Sequence, residues 1–262
     1  MNGIKNADEI VKGIGELAGS SVGEFLERLG SGDPTPGGGA AASLSAAMGA
    51  ALLMMVANHT IGKPRYTEFE QLNIEIRDKT EELRSRFIEG IDRDAEAFHN
   101  VSAAFAMPKS LADIEMDRVS AKIAELCQKD EALAAADMSE GLTEENMELI
   151  EKALKSVRSA AIGEASIAAA EAPLAVMEDC VQALRLAQKQ LGHSNPNLKS
   201  DILVAALSLQ AGLTSAGYNV DANIPAIERR APETAARLKN RAAELREESA
   251  ELTAMLLNAD LR

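Results

Sequence analysis

"PTPGGGAAASLSAAMGAALLMMVANHTIGK", residues 34–63, decides how the rest of the chain is read. Two prolines and three glycines stand directly before a run, Ala40 to Gly62, that holds no Asp, Glu, Lys or Arg. The run is long enough to span a bilayer. It is mostly Ala, Gly and Ser, however, which gain little from lipid; it also holds Asn58 and His59, and no basic cluster flanks it asymmetrically. A phosphate-binding loop is excluded as well. The glycines are not followed by Lys-Ser or Lys-Thr, and no GxGxxG is present. What remains is a Pro-Gly loop opening a helix, whose unpaired N–H groups offer a site to an anion or a carbonyl. Ala42, Ala46, Ala50 and Met54 recur every four residues, so one face of that helix is small and admits a close neighbour. The glycines have two readings: tight helix packing alone, or the close approach of a ligand.

The remaining composition agrees with helices. Among 262 residues aromatics are 3%, Trp is absent, and period-two runs of β-branched residues are nearly missing. An all-α fold of long helices is expected, its core built from Ala, Leu, Ile, Val and Met. The net charge of −14 argues against general nucleic-acid binding, which needs a basic footprint. Cys127 and Cys180 are far apart and form no CxxC, and MNGIKNADEI has no apolar signal region, so a cytoplasmic protein with free thiols is expected.

Apolar spacing and turn signals predict a short helix over 7–18, then one capped by Ser20 or Ser21 that carries Val22, Phe25, Leu26 and Leu29. The Ala-rich helix runs from about Gly39 to His59, followed by a long helix over 66–107 and another over 111–135. A polar break at 137–143 precedes Thr143, which with Asn146 forms an imperfect capping box. The next helix runs to about Ala170, Pro173 marks a kink or a new start, and helix continues over 174–191. GHSNPN (192–197) is a turn, 199–217 a buried helix, and Tyr218 to Pro225 irregular. In the last helix, about 232–258, Leu238, Leu245 and Leu252 recur every seven residues; they mark either a coiled-coil seam or an ordinary amphipathic helix.

Taken with its neighbours, the opening stretch resembles the start of the cyclodeaminase domain of formiminotransferase-cyclodeaminase and the related methenyltetrahydrofolate cyclohydrolases. Further matches follow in the same order: DRDAEAF (92–98), MPK (107–109), Arg158, Ala172 to Leu174, NPNLKSD (195–201) and YNVDANI (218–224). The resemblance covers roughly residues 20 to 225. It implies a single all-helical bundle over 1–262, a homodimer, and a tetrahydrofolate substrate altered at the one-carbon bridge between N5 and N10, with no metal and no cofactor. Residues 1–19 extend the family pattern, about 110–150 form a helical insertion, and 226–262 form a C-terminal helix. Ile61 stands where the family often has Tyr. The chain quoted holds no formiminotransferase segment.

Within this resemblance Asp94, the aspartate of DAEAF, is the candidate general acid/base, and Asp92 is expected to face solvent. Placed one and two turns before Phe98 and Val101, Asp94 sits at the edge of an apolar face, where burial raises a carboxyl's pKa. Pro36, Gly37, Gly38, Gly39 and Asn58 are candidate substrate contacts, the glycines through their N–H groups. Lys63 either meets the glutamate tail or is a solvated surface lysine. Asp201 caps its helix or contacts the pterin. Asn195, Asn219 and Asn223 bond a ligand or shape turns. His59, His99 and His193 are isolated, and no HExxH appears. The expected activity is methenyltetrahydrofolate cyclohydrolase. Formimidoyltetrahydrofolate cyclodeaminase is the alternative, and non-catalytic folate-binding or plain helical scaffold proteins are the others.

Overall fold

The computed structural model describes residues 17–114, 119–134 and 143–259. Every long element in them is a helix: α1 (Val22–Leu29), α2 (Gly38–Thr60), α3 (Glu70–Ala106), α4 (Val119–Cys127), α5 (Glu131–Ala134), α6 (Glu144–Gln190), α7 (Lys199–Glu228) and α8 (Pro232–Ala259). The helix expected over 7–18 lies almost wholly outside the described residues, as does most of the break at 137–143.

Helices α2, α3, α6 and α7 form a ring in which each packs on the next: α2 on α3, α3 on α6, α6 on α7 and α7 on α2. The uncharged α2 is the most enclosed, with Ala42, Ala46, Ala50, Leu53, Val56 and Ala57 all buried. Both α2 and α6 contain windows long and apolar enough to cross a membrane, but about half of each window, 56% and 50%, is buried inside the protein.

Close approach to α2 depends on side chains that are absent. A Cβ at Gly49 would lie 2.7 Å from Leu209 Cγ and 2.9 Å from the Ala205 carbonyl oxygen; one at Gly212 would lie 2.9 Å from the Ala42 carbonyl oxygen and 3.1 Å from Ala46 Cβ. The α2–α7 contact is therefore set by glycines on both helices.

Helix α8 closes the outer side of α6 and α7. Leu238, Ala242, Leu245 and Leu252 are buried in the main core, so the seven-residue repeat is an intramolecular packing face. A smaller cluster of Phe25, Ala40, Ile91 and Ala95 pins α1 to the start of α2 and to α3. A third cluster joins Leu126 of α4 and Leu133 of α5 to Ile150 and Leu154 of α6.

The caps follow the sequence. Ser21 Oγ accepts from the Glu24 N–H, while Glu24 accepts from the Ser21 N–H at 2.8 Å. Thr143 Oγ1 accepts from the Asn146 N–H at 3.2 Å.

Four boundaries differ from expectation. The segment 111–135 is not one helix: a 3-10 turn (Leu111–Asp113) precedes α4, and Asp130 Oδ1 accepts from the Leu133 N–H to start α5 anew. Pro64 opens a 3-10 turn (Pro64–Phe69), which delays α3 to Glu70. Pro173 does not break α6. A proline frees the carbonyl four residues earlier, here Ala169, and Asn223 Nδ2 of α7 donates to it at 3.3 Å. Residues 218–225 are helical rather than irregular, and α7 reaches Glu228, so of the segment 226–262 only the part from Pro232, close to the expected 232–258, forms the last helix. Asn219 and Asn223 turn their amides back onto the carbonyls of Ser215 and Asn219, both at 2.9 Å, instead of bending the chain.

Gly212→Ala should lower stability by about 1–3 kcal/mol, because the added methyl meets a backbone carbonyl that cannot rotate away. A denaturant midpoint equal to wild type would show that α2 and α7 separate freely.

Candidate active site

Helix α2 begins without a side-chain cap. Its N-cap residue is Gly37, which has no group to accept from the first N–H donors. Asp94 of α3 supplies that acceptor from another element: its Oδ2 accepts from the Ala40 N–H at 3.0 Å. Gly39 makes this possible, since a methyl there would overlap Asp94 Oδ1 and lie 2.5 Å from Cγ. The amide that follows the three glycines expected to face a ligand is thus already bonded to the candidate acid/base.

Two effects act on the Asp94 carboxyl. Burial disfavours its charge, and the Ala40 N–H stabilises it; burial is the larger, so the pKa lies above the ordinary aspartate value. That burial does not come from Phe98, as the spacing suggested, because Phe98 is 45% exposed. It comes from α2, α6 and α7, whose Gly39, Ser43, Ala169, Pro173 and Ala216 border the same narrow cleft. No cation pairs with Asp94 among the described residues; the adjacent Arg93 bonds Glu89 one turn back, at 2.5 Å. Asp92 is not the solvated carboxylate expected, since its Oδ1 is buried and accepts no hydrogen bond.

The cleft runs between α3 and α6 and is narrow, its enclosed part little larger than a water molecule. Arg86, Gly90, Arg93, Asp94 and Ala97 line it from α3, at spacings i, i+4, i+7, i+8 and i+11, one face of a helix. Ala172, Ala175 and Asp179 line it from α6. Arg86 and Asp179 pair across it at 2.9 Å. Sequence reading missed Ser43, Arg86 and Asp179. The signal was present for Arg86, which falls on the Asp94 face when the helical period is counted backwards.

The other candidates divide into two groups. Pro36, Gly37, Gly38 and Gly39 stand at the Asp94 end of α2, with Asn219 beside Gly38 at ordinary contact distance and Asn223 bonded to Ala169. Asn58, Lys63, Asn195 and Asp201 stand at the opposite end of the bundle, about 30 Å away by the rise of α2. There the Asn195 N–H donates to Thr60 Oγ1, and Tyr66 donates its hydroxyl proton to Asn195 Oδ1 at 3.0 Å. Asp201 lies in the first turn of α7, and the cap residue there, Leu198, receives no side-chain bond. A second and much roomier cavity at this end, about 530 Å³, is lined by Tyr66, Phe69, Asn195 and Ile202. Within one chain the two groups do not share a site.

Among the described residues no cluster of three or more His, Cys, Asp or Glu side chains could hold a metal ion. Cys180 is fully buried, which raises its thiol pKa far above the usual range.

The model for formiminotransferase-cyclodeaminase matches residues 21–130 and 112–244. A methenyltetrahydrofolate cyclohydrolase of Methylorubrum extorquens is 36% identical over 216 residues, which cover 82% of this chain and 85% of that protein. The formimidoyltransferase-cyclodeaminase of Mus musculus is 26% identical over 79% of this chain, a match that spans 31% of the mouse protein. In three dimensions a formiminotetrahydrofolate cyclodeaminase from Thermotoga maritima superposes with a TM-score of 0.66 at 22% identity, covering 93% of this chain and 98% of that one.

A raised pKa makes the Asp94 carboxylate a cost to folding that is fully present above its folded pKa and vanishes below the unfolded value of about 4. Asp94→Asn should therefore raise the thermal midpoint at pH 7, with the gain shrinking to nothing as the pH falls below about 4. A gain that grows in acid would reverse the assigned direction.

Proposed function

Starting from a chain that belongs to the formiminotransferase-cyclodeaminase family, we propose that it is a methenyltetrahydrofolate cyclohydrolase, with Asp94 as its general acid/base. The observation that carries this reading is the 36% identity to a methenyltetrahydrofolate cyclohydrolase along most of both chains. The geometry supports the chemistry.

The methenyl bridge is an amidinium cation, and a carboxylate without a partner cation is suited to stand beside it. Asp94 takes a proton from the water that attacks the bridge carbon. It returns that proton to N5 as the C–N5 bond breaks, leaving a formyl group on N10. The hydroxyl proton of the tetrahedral intermediate passes to solvent, so one proton is released overall. The raised pKa brings the carboxyl nearer to the operating pH, where proton transfer in both directions is efficient.

We also read the protein as a cytoplasmic homodimer. The dimer is supported by the outer face of α2 and α7, where Met48, Val204, Leu207 and Tyr218 are about half exposed or more. Between Ile202 and Val220 the sequence of α7 carries no charge, so a second copy of a chain of net charge −14 meets little repulsion there. Sedimentation should give twice the chain mass of 27.7 kDa, and Leu207→Glu should shift it to the monomer. A wild-type monomer at micromolar concentration would end this part of the reading.

The activity is tested by near-ultraviolet absorbance. Loss of the methenyltetrahydrofolate band on adding protein is the expected result. Appearance of that band from formimidoyltetrahydrofolate, with ammonia, would instead identify the cyclodeaminase reaction. Asp94→Asn should lower kcat by about 10²–10⁴-fold with the helical circular dichroism retained. In the wild type kcat/KM should rise with pH through a limb above the ordinary aspartate range, because the base must be ionised.

A further inference from the structure

The cleft that holds Asp94 has a second chemical feature at its other end. Arg86 lies two turns before Asp94 on the same face of α3, so the two Cα atoms are about 12 Å apart along the helix. Between them the walls are small and apolar, with Gly90 on α3 and Ala172, Ala175 and Val176 on α6. The Arg86 side chain is 44% exposed, while that of Asp179, which it pairs with through Nη2, is 14% exposed. A guanidinium has five N–H donors in a planar fork, so the contact of Nη2 with Asp179 holds Arg86 and leaves other donors for a further anion.

We propose that Arg86 is the specificity-determining residue of this cleft, receiving a carboxylate that the substrate carries beyond its aromatic ring. This rests on the folate reading above. A reduced folate bears its reacting bridge at one end of an aminobenzoyl group and a glutamate at the other. With the bridge at Asp94, the ring lies across the open mouth of the narrow cleft, over its small-residue walls, and the glutamate reaches Arg86.

In the opposite direction, among the described residues, the two cations past Asp94 at the end of α3 are Lys109, exposed beside Asp113, and Arg158. Past Asp94 the face of α3 presents Phe98 and Phe105, both exposed. Of the two cations, Arg158 is committed to the carbonyl oxygens of Met107 and Phe105, at 3.1 and 3.0 Å, and lies over the Phe105 ring. Arg93 borders the cleft too and its charge reaches Asp179, but its guanidinium is bonded to Glu89 on its own helix. Asp179 is then a positioning residue. Its burial raises its pKa and the charge of Arg86 opposes that shift, as expected for a carboxylate that orients a cation at the edge of the core.

The test compares 5,10-methenyltetrahydrofolate with 5,10-methenyltetrahydropteroate, which lacks the glutamate. Wild type should prefer the glutamate-bearing substrate by about 10-fold or more in kcat/KM, the size of a charge-assisted hydrogen bond. Arg86→Ala should raise KM for that substrate more than it lowers kcat, and should collapse the preference toward one. Arg86→Lys should keep part of the preference, since it keeps the charge but loses the fork. Arg86→Ala lowering both substrates equally, in a protein of unchanged circular dichroism, would assign Arg86 to the fold and overturn the proposal. A wild type that is active without preference overturns it as well, and that result needs no variant to fold. A wild type that turns over neither substrate overturns the cyclohydrolase reading on which this assignment rests, and the assignment with it.

Discussion

The bundle depends on how closely α2 can be approached. A 23-residue helix without a charged side chain is stable in this protein because its neighbours cover it. Gly49 and Gly212 let the α2 and α7 backbones come together, and Gly90 leaves room for Ser43, whose Oγ would sit 2.9 Å from a Cβ there. At the N-terminus the same constraint becomes chemical. Gly39 removes the side chain that would displace the Asp94 carboxyl, and the helix start then accepts that carboxyl as its cap. Packing and the candidate catalytic group are set by one property, the small size of residues along α2.

The helical class was legible because strand patterns were missing and the apolar spacing was regular. Helix ends were legible where a side chain makes the cap, as at Ser21 and Thr143. They failed where tertiary contacts overrode local preference. Pro173, Asn219, Asn223 and Pro225 are turn-formers in isolation, yet all four stand inside helices. Asn223 explains part of this: it donates to the carbonyl that Pro173 leaves unpaired, so the proline of one helix is accommodated by the asparagine of another. No window along the sequence contains both residues, which is why local reading separates them into a kink and a loop.

The site was legible in part for the same reason. Asp94 and the three glycines could be linked only through a resemblance, because 54 positions separate Asp94 from the Ala40 amide it binds. Asn58, Lys63, Asn195 and Asp201 were grouped with them by that resemblance, and the length of α2 puts them at the other end of the bundle. Motif order along a chain carries no distance when the motifs sit at both ends of long helices. Arg86 was legible from periodicity, but its pairing with Asp179 across the cleft was not, since nothing in either helix alone predicts which faces meet.

The arrangement of charge around Asp94 distinguishes it from the acidic residues that sit in surface ion pairs. Glu81, Glu89, Glu171, Glu178 and Glu248 each pair with an arginine at the surface. At Glu81 the hydrogen bond from Arg84 holds the carboxyl below its ordinary pKa and leaves it a poor proton acceptor. Asp94 is covered by three helices, bonded by a single backbone amide, and passed over by the arginine next to it in sequence. One hydrogen bond at a helix N-terminus keeps the ionised form accessible, while burial keeps it reactive. A cation in place of that amide would hold the pKa low and remove the second role, donation to a departing amine. The capping bond therefore fixes the carboxyl in position without fixing its protonation state, which is what a group that must take up a proton and then return it requires.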